Sequence, residues 1–239
     1  LFGERGVSGL VNIDVTPEMA LRLALAFGGT MPKKSVVTAA RDPTRTARII
    51  KRAMVAGLNA SGVECHDLEL VPVPVARFYA RAQRSMGGIA VRTAPGDPQS
   101  VEIEFFDERG IDIDASTQRQ IERAYYRDDL RRAFHHEIGE LTFPPRGREY
   151  YLRGVLDAVD VDSIRGSRPK LVIDYAWGAA VLTAPLVLGR IGADVLAMNA
   201  ASAALSRAAG GVGLVRRERR AEDEHSVRMA LTQHGEALR

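Results

Sequence analysis

Ser35-Val36-Val37-Thr38-Ala39, then Arg41-Asp42-Pro43-Thr44, then Ile50, Met54 and Leu58 at helical spacing, spell a strand, a loop and a helix in that order. The first run is rich in β-branched residues, and the last places its large apolar side chains on one helical face. Similar units lie on either side. Upstream, Thr16-Pro17-Glu18 reads as an N-cap, a proline at the first helical position and an acidic first turn. Met19, Leu23 and Phe27 then continue a helix that Gly28-Gly29 ends. Downstream, Ser61-Gly62 stops the second helix, Val63 to Leu68 is a strand, and Pro72 to Arg84 is a third helix with a proline-bounded entry. Gly87 to Val91 has the composition of a buried strand. Val101, Ile103 and Phe105 alternate with Glu102 and Glu104, which predicts a strand with one wet face, and Arg92 to Ser100 is the connection between these two strands. Asp107-Glu108-Arg109-Gly110 has turn chemistry, and Ala115 to Ala133 is a polar surface helix with Ile121, Tyr125 and Leu130 as its apolar positions.

Pro144-Pro145-Arg146-Gly147 separates this region from a second pattern, so two domains are expected, over residues 1–143 and 144–239. In the second, Tyr150 to Val159 is helical, Leu171-Val172-Ile173 a strand, Ala184 to Ile191 a helix and Ala193 to Met198 a strand. Strands alternating with helices give an α/β class with a largely parallel sheet.

Composition narrows the function classes. The chain has 239 residues, 46% of them apolar, enough for a substantial core. Its single cysteine, Cys65, excludes an internal disulfide and a cysteine-rich metal site and suits a reducing, cytoplasmic compartment; on a predicted strand it reads as a buried small apolar residue. No run of about 18 apolar residues exists to cross a membrane. The formal charge is +3, yet acidic and basic residues are interspersed, which argues against nucleic acid as a partner. The densest basic cluster, Arg216 to Arg220, reads as a solvated helix face or tail. His135-His136 lacks carboxylate or cysteine partners at metal-ligand spacing, and Asp157, Asp160 and Asp162 lack the calcium-loop pattern, so no metal site is expected. Ser8 and Ser61 have no identifiable base for hydrolase chemistry.

Several segments, taken in order, resemble the phosphohexomutases, the family that includes phosphomannomutase and phosphoglucomutase. Phe2-Gly3-Glu4-Arg5-Gly6-Val7-Ser8-Gly9 is similar to the family's opening glycine-rich phosphate loop, and Arg41-Asp42-Pro43-Thr44-Arg45 to its Gly-Arg-Asp-x-x-Arg element, with Ala40 in place of the glycine. Ala-Gly-Leu-Asn-Ala-Ser-Gly, ending at Gly62, with Asp67-Leu68 and Val71-Pro72-Val73-Pro74, resembles its helix–strand–Pro-x-Pro passage. Gly87-Gly88-Ile89 and Thr93-Ala94-Pro95-Gly96-Asp97-Pro98 stand where the family has Gly-Gly-Ile and its Thr-Ala-Ser-His-Asn-Pro catalytic loop. Asp174-Tyr175-Ala176-Trp177-Gly178-Ala179 is similar to the Asp-x-x-x-Gly-x-Gly strand end of the second domain. The resemblance covers roughly residues 1–199 and implies two phosphohexomutase-like α/β/α domains, the second incomplete or divergent from about Ala200.

The resemblance also implies a mechanism that this sequence departs from. The family's loop serine carries the phosphoryl group as a nucleophile; its position here is Pro95, and the neighbouring histidine is Gly96. The opening-loop arginine is Ser8, and the lysine expected after the catalytic loop falls near Glu104. The family's magnesium-binding Asp-Gly-Asp-Gly-Asp loop is absent, so no cofactor is expected in this chain. The phosphate-binding candidates are Gly6, Ser8, Gly9, Arg41, Arg45 and Thr93; a turn at Thr93 to Pro98 and a loop-stabilising Arg41–Asp42 ion pair are the structural alternatives. The leading expectation is a catalytically degenerate module that binds a sugar phosphate, positions a partner or self-associates. The chain opens on Leu1 and enters a motif at once, so an upstream nucleotidyltransferase domain is expected, such as the mannose-1-phosphate guanylyltransferase of known fusions. The alternatives are an active phosphotransferase using Thr93 or domains from another chain, and a non-functional fragment.

Overall fold

A computed structural model describes residues 1–200, 215–219 and 227–231. The chain divides into two compact units, Leu1–Glu69 with Val73–Gly147, and Leu70–Pro72 with Arg148–Arg239. Pro144 to Gly147, which the sequence assigns to the second domain, therefore groups with the first unit.

The first unit runs β1 (Val7–Leu10), α1 (Pro17–Gly29), β2 (Val36–Arg41), α2 (Arg45–Ala60), β3 (Glu64–Leu70), α3 (Val73–Ala82), β4 (Gly87–Ala94), β5 (Asp97–Asp107), α4 (Ala115–Arg127) and β6 (Leu141–Thr142). Its six-stranded sheet has the order β1-β5-β4-β2-β3-β6. β2 is parallel to β4 and β3 to β6, whereas β5 runs antiparallel to β4 and β1. From β2 the chain crosses through α2 to β3, then returns through α3 to β4 on the other side of β2. Right-handed crossovers in opposite directions place α2 and α3 on opposite faces of the sheet.

The larger core lies on the α1, α2 and α4 face. Leu23 and Phe27 of α1, Ile50, Met54 and Leu58 of α2, and Ile121 of α4 meet Val37, Ala39, Ile89, Val91, Val101, Ile103 and Phe105 of the strands, all essentially dry. Thr16 caps α1, its Oγ1 accepting from the Met19 amide, and Asp114 caps α4 through the Thr117 amide. α1 and α2 touch closely because Gly57 has no Cβ, which would collide with the Leu21 carbonyl oxygen. Arg131, beyond α4, donates to the carbonyls of Gly28 (2.5 Å), Met31 (2.6 Å) and Ser61 (2.8 Å), satisfying the carboxyl ends of both helices.

Two expectations are corrected. α4 stops at Arg127, where Asp128 takes a left-handed conformation at φ 54°; Leu130 is buried beyond its end. The predicted wet face of β5 is dry, with Glu102 and Glu104 only 6% and 5% exposed. Alternation correctly separates them from Val101, Ile103 and Phe105, but α3 covers that second face as well. Arginines on β4 and α3 meet the buried carboxylates.

The second unit contains α5 (Gly147–Asp157), α6 (Val161–Ser167), β7 (Lys170–Asp174), α7 (Ala184–Arg190), β8 (Asp194–Met198), β9 (Val215–Arg219) and β10 (Val227–Leu231). β7 pairs parallel with β8, the arrangement that a crossover through α7 requires, while β9 and β10 pair antiparallel. α6 and the β9–β10 pair were not legible as elements. Arg216 to Arg219, expected on a helix face or tail, lie in β9; Arg220 lies outside the described residues. No helix among the described residues is long and apolar enough to cross a membrane.

Cys65, on β3, is fully buried in the larger core, and burial, reinforced by the Asp67 charge, pushes its thiol pKa strongly up. In a timed assay with a thiol-specific disulfide reagent the native protein is expected to stay unmodified, and labelling should begin only as urea unfolds the first unit.

Candidate functional site

The reversal of chain direction between α2 and α3 creates a switch point at the carboxyl ends of β2 and β4, where open α/β sheets present a crevice for ligands. Arg41 to Arg45 leave β2 there and Thr93 and Ala94 end β4. Asp42 joins the two. Its amide donates to the Val91 carbonyl (2.9 Å). Its Oδ1 accepts from the Thr44 amide (2.8 Å) and hydroxyl (2.6 Å), and its Oδ2 from the Thr93 amide (2.6 Å). Thr44 in turn caps α2, Oγ1 accepting from the Ala47 amide at 3.2 Å. The Asp-Pro-Thr spacing thus turns the chain, starts the helix and holds the end of β4.

The segment in the place of the catalytic loop is mostly strand. β4 continues to Ala94 and β5 begins at Asp97, so the expected connection from Arg92 to Ser100 shrinks to a two-residue turn, Pro95-Gly96. Proline second and a glycine at φ 80° third are the requirements of a type II turn. The strand register shifts between Thr93 and Ala94, where the ladder adapts to that turn. Asp97 closes it: Oδ2 accepts from the Ser100 hydroxyl (2.5 Å) and Oδ1 from the Gln99 amide (3.0 Å), and these bonds hold its carboxyl below the usual range.

Of the phosphate-binding candidates, Thr93 has its amide committed to Asp42, and its hydroxyl lies 3.4 Å from that of Thr44. Arg45 is exposed in the first turn of α2. Ser8 and Gly9 lie in edge strand β1, opposite Glu102 and Val101. Gly6 has φ 142°, and a Cβ there would collide with the Ile103 carbonyl, so its glycine serves close approach to β5. The expected Arg41–Asp42 ion pair is replaced by a different contact: Arg41 donates to the Asp42 backbone carbonyl (2.9 Å) and pairs with Glu69 at 3.1 Å.

That pairing belongs to a network that sequence reasoning missed. Lys51 of α2, 2% exposed, meets the Asp67 carboxylate in a buried ion pair and lies 2.9 Å from Glu69. Burial raises the Asp67 pKa against the pull of Lys51; burial acts on Glu69 in the same sense, but there the Lys51 and Arg41 contacts prevail and hold it low. A second cluster occupies the α3 face. Arg92 lies 2.9 Å from Glu102 and 2.7 Å from Glu104, and Arg77 of α3 bonds Glu104 (2.8 Å) and Asp112 (2.5 Å). Asp67, buried on β3, was the available signal, since a buried acid demands a cation. Among the described residues, no group of three or more His, Cys, Asp or Glu side chains is placed to hold a metal ion.

Comparison with known proteins places this geometry. A family model, phosphoglucomutase/phosphomannomutase alpha/beta/alpha domain I, matches residues 1–132. A phosphoglucomutase/phosphomannomutase of Thermococcus kodakarensis is 29% identical over 204 residues, 84% of this chain and 44% of that protein. A phosphoglucosamine mutase of Nautilia profundicola is 29% identical over 210 residues, 83% of this chain and 45% of that protein. A crystal structure of a phosphoglucomutase/phosphomannomutase family protein from Burkholderia thailandensis superposes with a TM-score of 0.67 at 19% identity, covering 83% of this chain and 43% of that one. The chain spans less than half the length of the relatives it matches.

Two substitutions test the scaffold. Asp42→Ala strands the Thr93 and Thr44 amides and should lower the urea-unfolding free energy by about 2–4 kcal/mol, with faster amide exchange at Thr93. Lys51→Met leaves Asp67 buried without a counter-charge and should cost about 3–5 kcal/mol, most of it recovered in Lys51→Met/Asp67→Leu.

Proposed function

The chain belongs to the phosphoglucomutase/phosphomannomutase family, and we propose that it is a catalytically degenerate module of that family, descended from enzymes of hexose phosphates. The observation that carries this reading is the Pro95-Gly96 turn between β4 and β5. Proline offers no hydroxyl to accept a phosphoryl group, and a two-residue turn leaves no loop whose amides could surround one.

The neighbouring groups support the same reading. A phosphoryl-transfer site needs cations and N–H donors that are free to stabilise charge on the transferring group. Here the Thr93 amide is bound to Asp42, Arg41 to Glu69, and Arg92 to Glu102 and Glu104. The Thr93 hydroxyl, the nearest substitute nucleophile, lies 3.4 Å from the Thr44 hydroxyl and reaches a carboxylate, that of Asp42, only through it, so among the described residues no base contacts it directly. The hexose phosphate class comes from the names of the relatives, and the module's use within a larger sugar-phosphate or sugar-nucleotide protein is part of the proposal.

Phosphoryl exchange tests it. The purified chain, with glucose-1-phosphate or mannose-1-phosphate, the matching 1,6-bisphosphate and magnesium, is expected to give no turnover while circular dichroism shows it folded. Turnover that disappears in Thr93→Ala would overturn degeneracy and establish a relocated nucleophile.

A further inference from the structure

Glu69 is the last residue of β3 assigned to the first unit, and its backbone lies at φ 56°, the left-handed region that glycine enters freely and a side chain enters at a cost of about 1 kcal/mol or more. Its carboxylate is half exposed, yet both oxygens are held. Oε1 accepts from Lys51 Nζ at 2.9 Å, and Oε2 from an Arg41 terminal nitrogen at 3.1 Å. The two cations are themselves 2% and 8% exposed, so Glu69 is the solvent-facing member of the group. Arg41 Nε is buried with no hydrogen-bond partner, a desolvated donor that Glu69 and Asp42 leave unsatisfied.

We propose that Arg41 and Lys51 form a binding site for a phosphate-type oxyanion, and that Glu69 is the chain's own tethered occupant of it. A carboxylate presents two oxygens; a phosphate presents three or four, enough to keep the contacts to Arg41 and Lys51 and to add one to the idle Nε. Glu69, 48% exposed, is the member through which solvent reaches the pair of cations. Asp67 opposes an incoming anion, but it is buried and bound to Lys51, and it accepts from the Glu69 amide at 2.7 Å. Asp42 spends both carboxylate oxygens on Thr44 and Thr93. The site is independent of the catalytic reading, since it needs no sugar, bisphosphate or turnover.

The experiment is isothermal titration of the folded chain with inorganic phosphate, and separately with glucose-1-phosphate, at constant ionic strength held with chloride. Glu69→Gln and Glu69→Ala should bind inorganic phosphate at least tenfold more tightly than the parent. Adding Arg41→Gln to Glu69→Ala should abolish that gain. Glu69→Gly, which relieves the backbone strain, serves as a further variant if the alanine protein does not fold. Tighter binding of glucose-1-phosphate than of inorganic phosphate would identify a sugar ester as the ligand, and equal affinity the bare oxyanion; either supports the site. Equal phosphate affinity in the parent and all Glu69 variants, or a gain that survives loss of Arg41, would overturn it.

Discussion

The buried ion pair between Lys51 and Asp67 fastens α2 to β3, and the polar end of the first unit is assembled outward from it. An ammonium 2% exposed has surrendered its hydration, and only a carboxylate at hydrogen-bonding distance makes that tolerable. With the pair in place, Lys51 has capacity to hold Glu69, Glu69 holds Arg41, and Arg41 reaches the carbonyl of Asp42. Asp42 then secures the Thr93 amide just before the hairpin turn. Four side chains thus connect the middle of a helix to the end of a strand two positions away in the sheet. The connection works through hydrogen bonds of fixed direction, which apolar packing alone would not supply.

A parallel logic governs the opposite face. Glu102 and Glu104 would be costly between β5 and α3 if left alone, and they are tolerable because Arg92 and Arg77 arrive from two different elements. Arg77 also lies over the Phe106 ring, 5.2 Å from its centre, so its stem and guanidinium cover apolar surface while the charge is neutralised. Acids and bases on this face are matched inside the fold. The interspersed charge of the sequence is therefore internal bookkeeping as well as solvation.

Much of the first unit could be read from the sequence, because its signals are local. Thr16-Pro17 and Thr44 cap helices where capping chemistry places them, Ser61-Gly62 ends α2, and the apolar faces of α1 and α2 recur at helical spacing. The strand at Val101 to Phe105 shows where local reading stops. Alternation gives its two faces correctly, but whether the second is wet depends on α3, which packs there only because the chain reverses direction after β3. The same holds for Arg41: sequence adjacency suggested Asp42, whereas the partner is Glu69, 28 residues on, brought near by the order of strands. The short turn at Pro95-Gly96 was readable in principle, since that dipeptide is the preferred centre of a type II turn, but similarity to a longer loop weighed against it.

A site that handles transferred phosphate must keep donors and cations incompletely satisfied, and folding works against that because buried polar groups gain by finding partners. In the first unit, most of the polar groups at the switch point have found partners in the chain itself. Among the described residues the Nε atoms of Arg41, Arg48 and Arg92 are buried without a hydrogen-bond partner, and at Arg41 this coincides with Glu69 held in a backbone conformation that disfavours side chains. A purely structural network has little reason to retain either, since a glycine at Glu69 would remove the strain and a shorter cation would leave no idle donor. Their coincidence on one ion pair is expected where a carboxylate stands in for an exchangeable anion.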